Sequence, residues 1–191
     1  MCECRARRMR KSSAICVFLF CYTVKPLSLV ILISGTGSNL QAIIDAIIDL
    51  SAIDAGAMEL KLARLDVAEL LQAVAEKLSP TMTRRDQTLS IELAEDSLAF
   101  VGDAMRVEQI VSNLLSNAIG FSARGSQVRM GARRSGTNIQ IWIADSGRGI
   151  DPEFQKKAFE RFQSKPLPGS HRGPGLGLSI VKRICGLLRH P

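Results

Sequence analysis

The 191-residue sequence is poor in aromatic residues, with one Trp, one Tyr and seven Phe, and it contains two His. Proteins that bind single-stranded nucleic acids stack bases on aromatic side chains that lie beside basic ones, so this composition argues against that class. The formal net charge of +7 does not reverse the conclusion, because residues 1–25 hold six basic residues against one acidic residue, Glu3, and the remainder is nearly neutral. We therefore expect no nucleic-acid partner.

Cysteine is scarce outside the N-terminus: four of the five Cys lie within the first 21 positions, and the fifth is Cys185. An odd number of Cys without a CxxC pair is not a disulfide framework. A zinc site is disfavoured as well, because Cys16 and Cys21 lie inside an apolar run. The sequence therefore predicts that the body of the chain functions in a reducing, cytoplasmic environment.

The sequence also lacks an uninterrupted apolar run of membrane-spanning length. Its most apolar segment, residues 13–34, follows a basic stretch but contains Lys25 and Pro26 near its middle. A Lys at the centre of a membrane helix costs about 3 kcal/mol, whereas each Leu, Ile, Val or Phe contributes about 0.4 kcal/mol in favour of insertion. Because these contributions nearly cancel, we expect a cytoplasmic protein, and membrane association through residues 13–34 stays an alternative.

Helical and strand patterns are interleaved along the rest of the chain. Apolar residues three and four positions apart predict helices at residues 40–50, 66–78, 104–119 and 175–188. Alternating apolar residues predict strands at 88–93, 97–101, 128–133 and 139–143. Pro80 is expected to stop the second helix, Asp151-Pro152 to start a short one, and the Pro- and Gly-rich stretch 163–174 to be a loop. This order, with an antiparallel hairpin at Ser135-Gly136, favours the α+β class with helices on one sheet face.

Three motifs in the second half carry polar groups suited to a nucleotide. Asn113 and Asn117 are four positions apart and so share one helix face. The stretch Asp145-Ser146-Gly147-Arg148-Gly149 places a carboxylate at a strand end, and residues 173–178 place glycines before the last helix, where backbone N–H groups favour phosphate. Each motif alone is common in ordinary helices, turns and loops. Together they offer an acceptor for the adenine amine, an amide oxygen for Mg²⁺ and a phosphate loop.

In this order the motifs resemble the ATP-binding catalytic domain of sensor histidine kinases, in the wider family shared with gyrase, Hsp90 and MutL. The resemblance spans about residues 40–184. Its four boxes are RVEQIVSNLLSNAIGFS, DSGRGI, FERF and GPGLGLSIVKRI, and the stretch IIDAIIDLSAIDAGAMELKL resembles the end of a dimerisation helix with its linker. The resemblance implies a Bergerat-type ATP-binding fold: a two-layer α+β sandwich with a mixed, mainly antiparallel sheet and helices on one face.

The resemblance also implies roles for individual residues. Asn117 corresponds to the Mg²⁺ ligand and Asn113 to a residue that lines the phosphates, while Asp145 corresponds to the residue that recognises adenine. Gly147 and Gly149 would allow close approach to the nucleotide, and the glycines of residues 173–177 would hinge an ATP lid at 163–174. The implied nucleotide-binding set is Asn113, Asn117, Asp145, Gly147, Gly149, Ile150, Phe159, Arg172, Gly173, Gly175, Leu176, Gly177 and Leu178.

Two departures from the family pattern concern the phosphates and the phosphoacceptor. Gly120 stands where the family usually has a Lys, three residues after the Mg²⁺ asparagine, and Lys165 or Arg172 of the lid are candidates to supply that charge. The family's phosphoacceptor motif is absent, because the histidines, His171 and His190, lie in the lid and next to the last residue. The resemblance therefore implies a protein histidine kinase that transfers the γ-phosphate of ATP in trans.

A third departure concerns the domain plan. The family continues past the last helix into further strands, so we expect these to be missing and one sheet edge to be unpaired. The implied plan is an N-terminal segment (1–34), a remnant of the dimerisation helix with its linker (35–64) and the ATP-binding domain (65–191). The expected partners are ATP, a histidine-phosphotransfer or dimerisation domain or a response regulator, and a second copy through residues 40–55.

Two alternatives stay open at the level of the sequence. The first is a nucleotide-binding or dimerisation module without catalytic activity, which Gly120 and the missing phosphoacceptor favour. The second arises from LSLVILISGTGSNLQAIIDA, which resembles the opening strand, phosphate loop and helix of glycinamide ribonucleotide formyltransferase. Nothing later in the chain resembles that enzyme's catalytic half, so chance or fusion is the preferred explanation.

Overall fold

The computed structural model describes residues 18–22, 28–30, 48, 51, 53, 57–95, 97–147, 149–161, 163 and 175–188. The strands are β1 (Phe18–Tyr22), β2 (Ser28–Val30), β3 (Leu62–Asp66), β4 (Thr88–Leu93), β5 (Ala99–Asp103), β6 (Gln127–Ser135) and β7 (Asn138–Ala144). The continuous helices of the described residues are α1 (Val67–Thr83), α2 (Ala104–Phe121), α3 (Pro152–Gln155) and α4 (Gly177–Leu188). The predicted helix at 40–50 and the formyltransferase-like loop lie almost entirely outside the described residues.

The strands form two sheets. The larger one has the order β2-β1-β7-β6-β4, in which β4 pairs in parallel with β6 and every other pairing is antiparallel. The smaller one pairs β3 with β5 in antiparallel register. The predicted mixed, mainly antiparallel sheet of an α+β fold is confirmed.

The core lies between one face of the larger sheet and the helices. Alternate residues along residues 128–132 of β6 and 139–143 of β7 are buried, as the alternation predicts; they are Val128, Met130, Ala132, Ile139, Ile141 and Ile143. The helices contribute their own apolar faces. The largest fully buried side chains there are Leu71 of α1, Ile110, Leu115 and Ile119 of α2, and Ile184 of α4. The sandwich therefore has two layers.

Aspartates start α1, α2 and α3. Asp66 accepts hydrogen bonds from the amides of Ala68 and Glu69 at the start of α1, and Asp103 accepts one from Arg106 at the start of α2. Asp151 accepts one from Glu153 and is followed by Pro152. Such caps satisfy amides that lack a partner within the helix, and the prediction for Asp151-Pro152 is confirmed.

The structure corrects several predicted element ends. Pro80 does not stop α1, which continues to Thr83. Pro80 is exposed, so water can reach the carbonyl whose hydrogen bond it removes, while Met82 in the following turn is buried in the core. Strand β5 lies two residues later than predicted, α2 extends to Phe121, and the last helix begins at Gly177.

The edge of β7 is not free. The pairs Leu19–Ile141 through Tyr22–Asn138 join β1 to β7, and β2 follows on the outer side of β1. The expectation of an unpaired sheet edge is therefore wrong at β7, because backbone groups of the N-terminal segment pair with it. None of the helices in the described part of the chain is both long and apolar enough to span a membrane.

Candidate functional site

The two asparagines lie one turn apart on α2. The apolar stripe of this helix is buried, with Val111, Leu114 and Ala118 at 5% exposure or less. Asn113 and Asn117 are half-buried beside that stripe. Among the described residues no hydrogen bond engages either amide side chain, so both stay available to a ligand.

The carboxylate of Asp145 follows directly after β7. Its residue is 7% exposed, and its Oδ1 accepts a hydrogen bond of 2.6 Å from the Gly147 amide. Burial raises the pKa of the Asp145 carboxyl, and the hydrogen bond from Gly147 partly opposes this rise. A buried carboxylate held in this way can accept a hydrogen bond from an exocyclic amine.

Gly147 allows the turn after Asp145 to lie against the end of α2. A Cβ at this position would come within 2.6 Å of Asp145 Oδ1 and 3.1 Å of the Phe121 carbonyl oxygen. Gly149 has a positive φ of 75°, a backbone conformation that favours glycine. Any side chain at position 147 would therefore push the carboxylate loop away from α2.

The glycine stretch before α4 brings two distant parts of the chain together. Gly175 has a φ of 69°, and a Cβ there would approach the Gln163 backbone to 2.6 Å. Gln163 and Gly175, which flank residues 164–174, therefore lie side by side. Leu176 and Leu178 are buried at 1% and 8% exposure and anchor the start of α4 in the core.

The start of α4 also lies beside the asparagine face of α2. A Cβ on Gly177 would be 3.6 Å from Asn113 Oδ1, although the two residues are 64 positions apart in the sequence. The N-terminus of α4 presents backbone N–H groups that suit a phosphate. Two predicted motifs thus share one site.

The remaining predicted residues fall into two groups. Ile150 and Phe159 are partly buried against the core, and the Gln155 side chain donates to the Ile150 carbonyl at 2.9 Å. Arg172 and Gly173 lie outside the described residues, as does Lys165. The lid charge that was predicted to replace the missing Lys therefore stays a prediction.

Sequence reasoning missed the polar groups that hold the C-terminal end of α2. Arg85 and Gln87, in the loop between α1 and β4, donate to backbone carbonyls of residues 119–123. A single polar residue in a loop belongs to no periodic pattern, so nothing in the sequence singles it out.

Comparison with known proteins gives a family and relatives. The family model described as "Histidine kinase-, DNA gyrase B-, and HSP90-like ATPase" matches residues 102–190. The chain is 31% identical over 155 residues to the sensor protein DivL of Caulobacter vibrioides, which is 81% of this chain and 20% of that protein. It is 44% identical over 94 residues to the sensor-like histidine kinase SenX3 of Mycobacterium tuberculosis, covering 48% of this chain and 23% of that protein.

The fold comparison agrees with the sequence comparison. Full-length ShkA in complex with AMPPNP superposes with a TM-score of 0.66 at 28% identity, covering 76% of this chain and 30% of that one. The chain thus spans between a fifth and a third of the length of these proteins. The residues that the family model matches, 102–190, include the three motifs that the structure gathers around α2.

Proposed function

We propose that the chain binds Mg²⁺·ATP through residues 102–190, which match the histidine kinase-type ATPase family, and transfers the γ-phosphate to a histidine of a partner protein. The acceptor would lie on a histidine-phosphotransfer or dimerisation domain, and a response regulator would receive the phosphoryl group afterwards. Dimerisation through residues 40–55 and a cytoplasmic location belong to the same proposal.

The observation that carries the proposal is the arrangement of contacts along α2. Asn113 lies beside Gly177 at the N-terminus of α4, and Phe121 at the helix end lies beside Gly147 of the carboxylate loop. Asn113 and Phe121 are eight positions apart on α2, which is about 12 Å at 1.5 Å per residue. A phosphate-binding end and an amine-binding end at this spacing suit an extended nucleoside triphosphate.

The donor groups of the site fit a magnesium ion. Mg²⁺ takes oxygen ligands and keeps several of them as water or substrate phosphate. Asn117 is half-buried on the same face as Asn113 and has no hydrogen-bond partner among the described residues, so its amide oxygen is the ligand that we assign to the ion. When bound, the ion would neutralise charge on the phosphates.

The residue chemistry favours transfer to a histidine over hydrolysis. In the ATP-hydrolysing relatives that the resemblance includes, the position of Asn113 is a Glu that activates water. A side-chain amide cannot accept a proton from water at neutral pH and so cannot serve as that base. Asn113 would therefore bind and orient the phosphates without activating a water molecule.

The nucleotide site can be tested with the Asp145→Asn variant. We expect Asp145→Asn to weaken ATP binding by about tenfold or more, because the amide presents a donor where the adenine amine needs an acceptor. Isothermal titration with Mg²⁺·ATP measures this effect.

The matched control for this experiment is Asp86→Asn. Asp86 is an exposed aspartate with a positive φ of 53°, a conformation that Asn also adopts. Equal ATP affinities of wild type and Asp145→Asn would refute the assignment of the adenine site.

A second candidate function is nucleotide binding without phosphoryl transfer, which Gly120 favours because it replaces a phosphate-binding Lys of the family pattern. The two functions are separated by incubating the chain with labelled ATP and a phosphoacceptor helix pair. Label on the histidine supports the kinase, whereas ATP binding without transfer supports the module.

A further inference from the structure

We infer that Gln87 is a positioning residue for adenine recognition, which it serves by fixing the end of α2 against the Asp145–Gly147 loop. This inference rests on the proposed function, because it concerns the same nucleotide site. Gln87 belongs to the loop before β4 and is outside all the motifs that the family resemblance picks out.

The Gln87 side chain binds several carbonyls at once. Its Nε2 donates to the carbonyl oxygens of Ile119 at 3.2 Å, Ser122 at 3.2 Å and Ala123 at 2.9 Å, and the residue is 7% exposed. Because acceptors surround this end of the amide, it must be the NH₂ group. One buried amide therefore closes the last turn of α2 and the loop that follows.

Arg85 binds the same end of α2, and we call the pair Arg85 and Gln87 the clamp. Its Nη2 donates to the carbonyl oxygens of Gly120 at 3.3 Å and Ser122 at 3.0 Å. The last carbonyls of a helix have no partner within the helix and carry partial negative charge. The clamp therefore supplies donors, one of them cationic, to the carbonyls of Ile119, Gly120 and Ser122.

The Phe121 carbonyl, which lies between Gly120 and Ser122 in the sequence, faces the proposed nucleotide site. The Phe121 oxygen would lie 3.1 Å from a Cβ on Gly147, and the Gly147 amide in turn holds Asp145 Oδ1 at 2.6 Å. A shift of the α2 end thus moves the Gly147 loop and with it the carboxylate. The clamp sets the position of Asp145 relative to the asparagines on the same helix.

This role predicts a change in nucleotide selectivity. The Asp145 carboxylate can accept from the adenine amine but not from the guanine carbonyl, so a well-placed Asp145 favours ATP over GTP. The Gln87→Met variant keeps the length of the side chain and removes its donor. We expect the ratio of the GTP Kd to the ATP Kd to fall roughly tenfold, mainly through weaker ATP binding.

The experiment measures both affinities by competition against a fluorescent ATP analogue, on the full chain at a temperature where circular dichroism shows it folded. A merely structural role would lower the folded fraction and weaken both nucleotides equally, so the ratio would not change. The control is Gln72→Met, which removes an exposed side-chain bond from Gln72 to Glu76 on α1. We expect its ratio to match the wild type.

Arg85→Met provides a second variant if Gln87→Met does not fold. It removes the other half of the clamp, and we expect a smaller fall in the same ratio. Suppose that the wild type prefers ATP and that the folded clamp variant has the same ratio of GTP Kd to ATP Kd. This result overturns the inference and leaves the proposed function standing. A wild type with no preference for ATP overturns both.

Discussion

At the scale of single residues, the carboxyl group that we propose for adenine recognition destabilises the folded chain when it is ionised. Asp145 is 7% exposed, and burial raises the pKa of its carboxyl. A raised pKa means that the folded state holds the proton more tightly than the unfolded state does. Ionised Asp145 therefore lowers the free energy of unfolding at neutral pH, although the same carboxylate is the group expected to recognise adenine.

This conflict makes the stability of Asp145→Asn depend on pH. The stability of the wild type falls relative to the variant as the pH rises from the unfolded-state value, about 3.8, through the higher pKa of the folded state. Asn keeps an acceptor for the Gly147 amide and carries no charge. We expect the apo variant to be as stable as the wild type at low pH and more stable at pH 7, as urea unfolding at both pH values measures. A variant that is less stable at pH 7 would contradict this account.

At the scale of elements, β6 is fitted closely between its neighbours. On its outer side Arg129 forms two hydrogen bonds with Glu92 of β4, at 2.7 and 2.8 Å, and lies 5.6 Å from the ring centroid of Trp142 on β7. Gly131 is paired with both Glu92 and Trp142. A Cβ at position 131 would collide with the Glu92 carbonyl oxygen and approach the Trp142 ring to 2.7 Å.

We therefore expect Gly131→Ala to lower the free energy of unfolding by about 1–3 kcal/mol, because the Glu92 carbonyl oxygen cannot move aside without disturbing the hydrogen bonds between β4 and β6. Urea unfolding followed by the fluorescence of Trp142, the one Trp of the sequence, measures this loss.

Gly186→Ala is the matched control. Gly186 is exposed in α4, and a Cβ there meets no atom within 4 Å. Because alanine is the better helix former, we expect this variant to gain about 0.5–1 kcal/mol. Equal effects of the two substitutions would show that the tight fit around Gly131 does not contribute to the free energy of unfolding.

At the scale of the whole molecule, strands from both halves of the sequence form one sheet. β1 pairs on one side with β2 and on the other with β7, the strand that leads into Asp145. The formal charge of the chain is concentrated in residues 1–25, yet β1, which lies within that basic segment, belongs to the same sheet as β7. The basic segment thus contributes a strand to the fold of that sheet.

Phe20→Pro tests this pairing through the backbone alone. Proline cannot donate to a strand ladder and is poorly tolerated in a strand with neighbours on both sides. We expect the free energy of unfolding to fall by about 1–3 kcal/mol, which corresponds to roughly 2–4 °C in Tm for each kcal/mol in a chain of this size.

Ala57→Pro, at an exposed residue outside the helices and strands, serves as the control for a proline in the N-terminal half. Equal melting temperatures of Phe20→Pro and the wild type would contradict a structural role for β1.

Much of the local structure follows from the sequence, because periodicity and capping act between near neighbours. The alternation at 88–93 coincides with β4, and Asp151-Pro152 starts α3 as expected. The prediction that Pro80 stops α1 was wrong because the rule considers only neighbouring residues. It cannot show that Pro80 faces solvent or that the buried Met82 favours another turn of the helix. Strand β3 was missed because its residues are largely exposed and carry no alternating pattern.

In the candidate site too, some features follow from the sequence and others depend on the tertiary structure. The spacing of Asn113 and Asn117 places both on one helix face, since four residues make about one turn. The contact of Gly177 with Asn113, the contact of Gly147 with Phe121, the clamp on α2 and the pairing of β1 with β7 follow from no sequence pattern. These contacts join residues between 26 and 122 positions apart, and they form only when the packed core brings their elements together.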